Sequence, residues 1–170
     1  MLASPPNPTR PVIIQTICDV FAGPAWHGPS LRASLRGLSS RDAARRIAPG
    51  RNTIWELVLH LAYTRHRLVM RLGADVARFP RKLGKPWWPT APGKPTDAAW
   101  RDGLALLTDY QDRLIAAIDA APEARLRRQR PGQPRTIAHE LLGVAVHDGY
   151  HAGQIRLLRV LIAGRAPRAE

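Results

Sequence analysis

Five residues near the C-terminal end concentrate the chemistry of this chain: His147-Asp148-Gly149-Tyr150-His151, continued by Ala152-Gly153-Gln154-Ile155. The two imidazoles stand one helical turn apart, so on a helix both project from the same side. That side is otherwise apolar. Ile137, Leu141, Val144, Ile155, Leu158 and Ile162 recur at helical spacing, and the histidines interrupt the stripe near its middle. A polar ring facing a core needs a partner, because desolvating it unpaired costs roughly 1–3 kcal/mol. A metal ion could partner both rings at once. Two histidines are an incomplete ligand set, however, and a third group is required.

His60 is the best-placed third group, on a face shared with Leu57, Leu61, Thr64 and Leu68. His66, six residues on, points well away from His60, so the two cannot serve one site. His139 falls two turns before His147 near a helix start, and His27 falls in a loop. These three read as surface or locally satisfied histidines. Among the neighbours of the pair, Gly149 and Gly153 suggest close helix packing, since glycine inside a helix is costly without it. Gln154 could orient a ligand ring or cap a backbone group. Tyr150 reads as a packed amphipathic tyrosine. Asp148 either fixes an imidazole tautomer or pairs with an arginine. Glu140, two turns before His147, is a candidate general base.

Positioning these groups requires long helices. Arg10 to Phe21 reads as a short apolar helix. A second piece runs from Pro29, suited to a first turn, to about Arg36, and Ser39 with Asp42 opens a short helix through Ile47. Thr53 and Glu56 form a capping box before a strong helix from Ile54 to Leu72, which Gly73 ends. Trp55, Leu59, Ala62, His66 and Met70 give that helix a second face, so it is either central in a bundle or shared with a second subunit. A homodimer is compatible with the second option. Residues 74–95, with Phe79, Trp87, Trp88 and five prolines, form a long connection able to traverse a bundle. Thr96 or Asp97 caps the third long helix. Pro122 to Pro134 is a Pro- and Arg-rich connector. Thr136 caps a last helix that runs to about Ala163. The expectation is an all-α single domain over residues 1–170, a four-helix bundle with flexible ends at 1–9 and 165–170.

The bulk composition narrows the function classes. Hydrophobic residues make up 45% of the 170-residue chain and aromatics 6%, a mix that favours helix over sheet. No apolar run approaches the roughly 18–20 residues needed to span a bilayer, and MLASPPNPTRP lacks the pattern of a secretory signal. A cytoplasmic protein that does not enter a membrane is expected. Cys18, the only cysteine, excludes an intrachain disulfide and reads as a buried structural thiol. The net charge of +13 invites a nucleic-acid reading. The arginines are dispersed, though, apart from Arg125, Arg127, Arg128 and Arg130, and no aromatic-basic interleaving or DNA-reading motif accompanies them. A solvated basic surface accounts for the charge better.

IWELVLHLAYTRHRLVMRLG around His60 and HDGYHAGQIRLLR at the end resemble the DinB/YfiT-like superfamily of bacterial four-helix metalloproteins. AWHGPSLRASLRGLSSRDAA, from Ala25 to Ala44, resembles that family's N-terminal region. The likeness spans roughly Ala25 to Arg159. It implies an up-down-down-up bundle with the long crossover between its second and third helices. It also implies a divalent metal held by one histidine on the second helix and two on the fourth, which match His60, His147 and His151. No ligand position departs from the pattern. Characterised branches include transferases and isomerases that use a low-molecular-weight thiol. Three neutral imidazoles with open positions make a catalytic kind of site and do not choose among zinc, nickel and ferrous iron. Such an ion would lower the pKa of a bound water or thiol, and an electrophile could enter past Trp87 and Trp88, a loop equally well read as packing against the bundle. The favoured reading is a metal-dependent thiol S-transferase or hydrolase acting on a small-molecule substrate. The alternatives are a non-catalytic metal-binding stress protein and a basic nucleic-acid-associated protein.

Overall fold

The computed structural model describes residues 8–74, 79–80 and 87–164. Most of the two expected flexible ends, residues 1–7 and 165–170, lies outside the described residues, as do 75–78 and 81–86 of the long connection. The described chain is all-helical. Its elements are α1 (Arg10–Ala22), α2 (Leu31–Leu35), α3 (Ser40–Ala44), α4 (Ile54–Leu72), α5 (Asp97–Ala120), α6 (Glu123–Arg127) and α7 (Ile137–Ala163). No described helix is long and apolar enough to cross a membrane.

Local chemistry sets the ends of the long helices. The Thr53 hydroxyl accepts from the Glu56 amide at 3.1 Å while the Glu56 carboxylate accepts from the Thr53 amide at 2.8 Å, closing the box that starts α4. Gly73, at φ 87°, ends α4 in the left-handed conformation that glycine adopts without strain. Thr96 and Thr136 cap α5 and α7 through their hydroxyls. Smaller boundaries differ from expectation. Ser30, not Pro29, governs the start of α2, and α3 stops at Ala44 rather than Ile47. The connector before α7 contains α6, a single turn pinned by the buried side chain of Leu126.

α4 is the central helix. Of its 19 residues, 15 are buried, so both of its apolar faces are covered within one chain and no second subunit is needed for that. Met70, expected on the second face, is exposed instead. α4 packs along α5 and α7, and α1 packs along α7. Two apolar clusters result. The first joins Phe21, Trp55, Leu59, Trp100, Leu107, Ile155 and their neighbours. The second joins Ile13, Ile17, Leu68, Leu72, Leu114, Ile118, Ile137 and Leu141. On three helices the residues separating the clusters along the chain include buried polar ones: Arg65 and His66 on α4, Gln111 on α5, Asp148 and His151 on α7. His151 of this polar layer belongs to the candidate site, while His60 stands beside Leu59 and Leu61 of the first cluster.

Candidate metal centre

The three histidines singled out in the sequence come together. His60 reaches from the middle of α4, and His147 and His151 from successive turns of α7. The Nε2 of His147 lies 3.1 Å from Nε2 of His60 and 3.0 Å from Nε2 of His151. One ligand atom from each ring falls within 4.8 Å of the others.

The other face of each ring defines its tautomer. His60 Nδ1 lies 2.6 Å from the carbonyl oxygen of Trp87, which only accepts, so this nitrogen carries the proton and donates. His151 Nδ1 lies 2.7 Å from the side-chain oxygen of Gln154 and donates in the same way. Gln154 is itself oriented by donating its amide to the Tyr150 hydroxyl at 2.8 Å. In the neutral rings of His60 and His151, Nε2 is therefore a bare lone pair. Three Nε2 atoms converge with at most one proton among them, contributed by His147, whose buried Nδ1 has no partner. Burial lowers the pKa of all three rings. His147 is pushed down to about 3, by burial first and then by His151, His60 and Arg65. His60 and His151 are lowered chiefly by burial, against the opposing effect of their Nδ1 hydrogen bonds.

Converging, neutral, partly desolvated lone pairs fit a divalent cation. An ion shared by rings at metal–nitrogen bonds of about 2.0–2.1 Å needs their nitrogens within about 4 Å of one another, and His147 Nε2 meets the other two at 3.1 and 3.0 Å. The indole of Trp88 stacks on His60 with ring centroids 4.2 Å apart and planes inclined by 10°, covering one side of the site. The other side opens into a cleft of about 570 Å³ whose lining includes Leu57, Trp88, Leu157, Leu158, Arg51 and the three histidines.

The remaining candidates separate clearly. Gln154 orients His151, the first of its two sequence readings. Asp148 pairs with an arginine: its Oδ2 lies 2.5 Å from Arg65 Nη2, and both side chains are fully buried. Glu140 cannot serve as a free general base, because Arg71 and Arg130 hold both of its carboxylate oxygens. Tyr150 is exposed rather than packed. A side chain at Gly149 would meet His27 at 3.6 Å, whereas at Gly153 it would meet nothing within 4 Å, so Gly153 is not a packing glycine. His66 is buried beside Tyr63, Phe79 and Tyr110, away from the trio. His139 contacts the capping Thr136 at 2.7 Å. Cys18 is half-buried, and burial raises its pKa, in keeping with an unreactive thiol.

Sequence reasoning missed three contributors: the Trp88 stack, the Trp87 carbonyl, and Arg65 with Gln111. Arg65 carried a readable signal, a charged residue four positions from Leu61 on a core-facing stripe. The tryptophan pair was legible as a loop that flanks the site or packs on the bundle, but its contacts with His60 depend on the path of a long connection.

A family model described as the DinB superfamily matches residues 26–155, a span that contains all three histidines. No curated protein and no solved structure matches the chain.

Proposed function

This chain belongs to the DinB superfamily, and from that premise we propose that it holds a divalent metal ion on His60, His147 and His151 and acts on small molecules. The reaction proposed is transfer of a low-molecular-weight thiol to an electrophile, or a related hydrolysis. One observation carries the reading: three Nε2 atoms converge at the base of an open cleft. A structural ion is usually enclosed by its ligands, so the open approach favours catalysis over a purely stabilising ion.

Bound there, a zinc, nickel or ferrous ion would supply Lewis acidity, lowering the pKa of a coordinated water or thiol to near neutrality. The chain's own residues provide the setting. Trp87 and Gln154 hold the Nδ1 protons and so aim the Nε2 lone pairs. Trp88 excludes water from one side of His60. Leu57, Leu157 and Leu158 offer an apolar wall to the substrate. No carboxylate lines this cleft among the described residues, so proton movement falls to the nucleophile itself and to solvent.

We read the architecture as an up-down-down-up four-helix bundle of α1, α4, α5 and α7. Cluster order supports it. α1 and α7 meet the second cluster before the first, while α4 and α5 meet the first before the second. The residues 73–96 between α4 and α5 then serve as the crossover.

The test is elemental analysis of untagged protein beside His60→Ala, His147→Ala and His151→Ala, followed by turnover assays with thiols and small electrophiles. We expect near-stoichiometric metal in the parent and loss in each variant. Full retention in any one would refute the ligand set, and a metal-replete protein inactive across a broad screen would leave the stabilising ion as the better reading.

A further inference from the structure

His147 also lines a second cleft, of about 390 Å³, whose character differs from the first. Arg67 and Arg71 reach it from the last turns of α4, Gln133 and Arg135 from the connector, and His139 and Glu140 from the first turns of α7. The connector is held in place there. Residues Gln129 and Thr136 form an isolated antiparallel bridge, the Gln133 amide donates to the Arg130 carbonyl at 3.0 Å, and the Ile137 amide donates to the Arg128 carbonyl at 3.0 Å.

Charge in this cleft is unbalanced. Glu140 is its only carboxylate among the described residues, and both oxygens are committed: Arg71 donates to one at 3.0 Å, and Arg130 donates to the other through Nε at 3.0 Å. Arg67 and Arg135 have no carboxylate partner among the described residues. The Arg67 guanidinium lies over the indole of Trp87, 5.6 Å from its centroid, which fixes its direction along the cleft wall. Arg71 carries the mark of the imbalance. Burial lowers its pKa most, Arg130 and Arg67 lower it further, and only Glu140 opposes them. Arg67 and Arg135 are exposed at the rim of the cleft, and their spare donors match the fork geometry of carboxylate and phosphate oxygens.

We propose that this cleft binds the oxyanion, phosphate or carboxylate, of a small molecule whose other end reaches His147. The cleft volume falls in the range of small-ligand sites, about 300–1,000 Å³, rather than suiting an extended polyanion. The reach to His147 rests on the metal-centre reading above; the oxyanion site itself does not. A ligand spanning both clefts would be bipolar, apolar on the Leu157 and Leu158 side and anionic on the Arg67 and Arg135 side.

The experiment is calorimetric titration of the as-purified protein with inorganic phosphate and, separately, with acetate. Comparison is made with Arg67→Ala/Arg135→Ala, with His60→Ala, and with Arg101→Ala as an exposed arginine outside the cleft. Saturable binding should weaken by at least about tenfold in the double variant, the loss expected for charge-assisted hydrogen bonds. It should persist in His60→Ala and Arg101→Ala. Tighter phosphate binding would identify a phosphate ligand and tighter acetate binding a carboxylate, and both support the proposal. Absence of saturable binding, an unchanged affinity in the double variant, an equal loss in Arg101→Ala, or a loss in His60→Ala would each overturn it. A parent protein without metal that still binds oxyanion through Arg67 and Arg135 would remove the metal reading and leave this one standing.

Discussion

Replacing Asp148 with alanine isolates the cost of an unpaired charge at the centre of the molecule. Arg65 and Asp148 are fully buried and meet at 2.5 Å. Arg65 also donates to the Gln111 side-chain oxygen at 2.8 Å and to the Leu61 carbonyl at 3.2 Å, and it lies 5.1 Å from the ring centroid of Phe21. The network is lopsided. Asp148 Oδ1 is buried without a partner, and burial pushes the carboxyl pKa up against the pull of Arg65. In Asp148→Ala the guanidinium keeps its charge and loses its counter-ion, at a cost of about 3–5 kcal/mol. Against a total stability of about 5–15 kcal/mol this is severe, and at about 2–4 °C per kcal/mol the melting midpoint should fall by roughly 6–20 °C. The penalty belongs to the orphaned charge rather than to the worth of the pair. Arg65→Met combined with Asp148→Leu should therefore recover most of the loss. Thermal and urea denaturation followed by circular dichroism check both. A midpoint within about 2 °C of the parent in Asp148→Ala, or a double variant as unstable as the single, would refute the reasoning.

Two further outcomes follow from the hydrogen bonds and burial around the histidines. Gln154→Leu removes the acceptor of His151 Nδ1 and should weaken divalent-ion affinity by about 10–100-fold with little change in melting temperature; competition with a chromophoric chelator measures it, and an unchanged affinity would contradict the orienting role. In chelator-treated protein, stability should decline as pH falls below about 6.5, the unperturbed histidine value. Burial holds His60, His147 and His151 below that value when folded, so the unfolded chain binds more protons in that window and stability rises with pH. Urea midpoints at several pH values from neutral downward read this, and a flat or inverted profile would show that the rings are not desolvated as described.

How far the sequence revealed the fold depended on whether a feature was local. The caps at Thr53, Thr96 and Thr136 and the stop at Gly73 were legible because each is complete within a few residues of its helix end. α6 was not, since one turn of five residues owes its existence to the packing of Leu126. The two-sided apolar pattern of α4 showed that the helix was covered all round but not by what, and the structure supplies α5 and α7 of the same chain. In the site, His147 and His151 were legible as a one-turn pair, and His60 as a polar residue on a core face. Their partners were less so. Asp148 was open to an arginine, and Arg65 stood out as a charge on a core-facing stripe, but nothing local joins two residues 83 positions apart. Gly153 was not legible: glycine inside a helix is costly, yet no neighbour lies within 4 Å of where its side chain would stand.

The two outer histidines take their Nδ1 partners from different parts of the chain, with an evolutionary consequence. His151 depends on the side chain of Gln154, so a single codon change can alter its basicity or abolish its orientation. His60 depends on the main-chain oxygen of Trp87, which any residue type at that position would supply. Point substitution there leaves the acceptor in place, and only a change in the length or path of the connection can move it. Tuning of this centre across descendants would then divide in two: gradual and residue by residue at His151, abrupt and through insertions or deletions at His60.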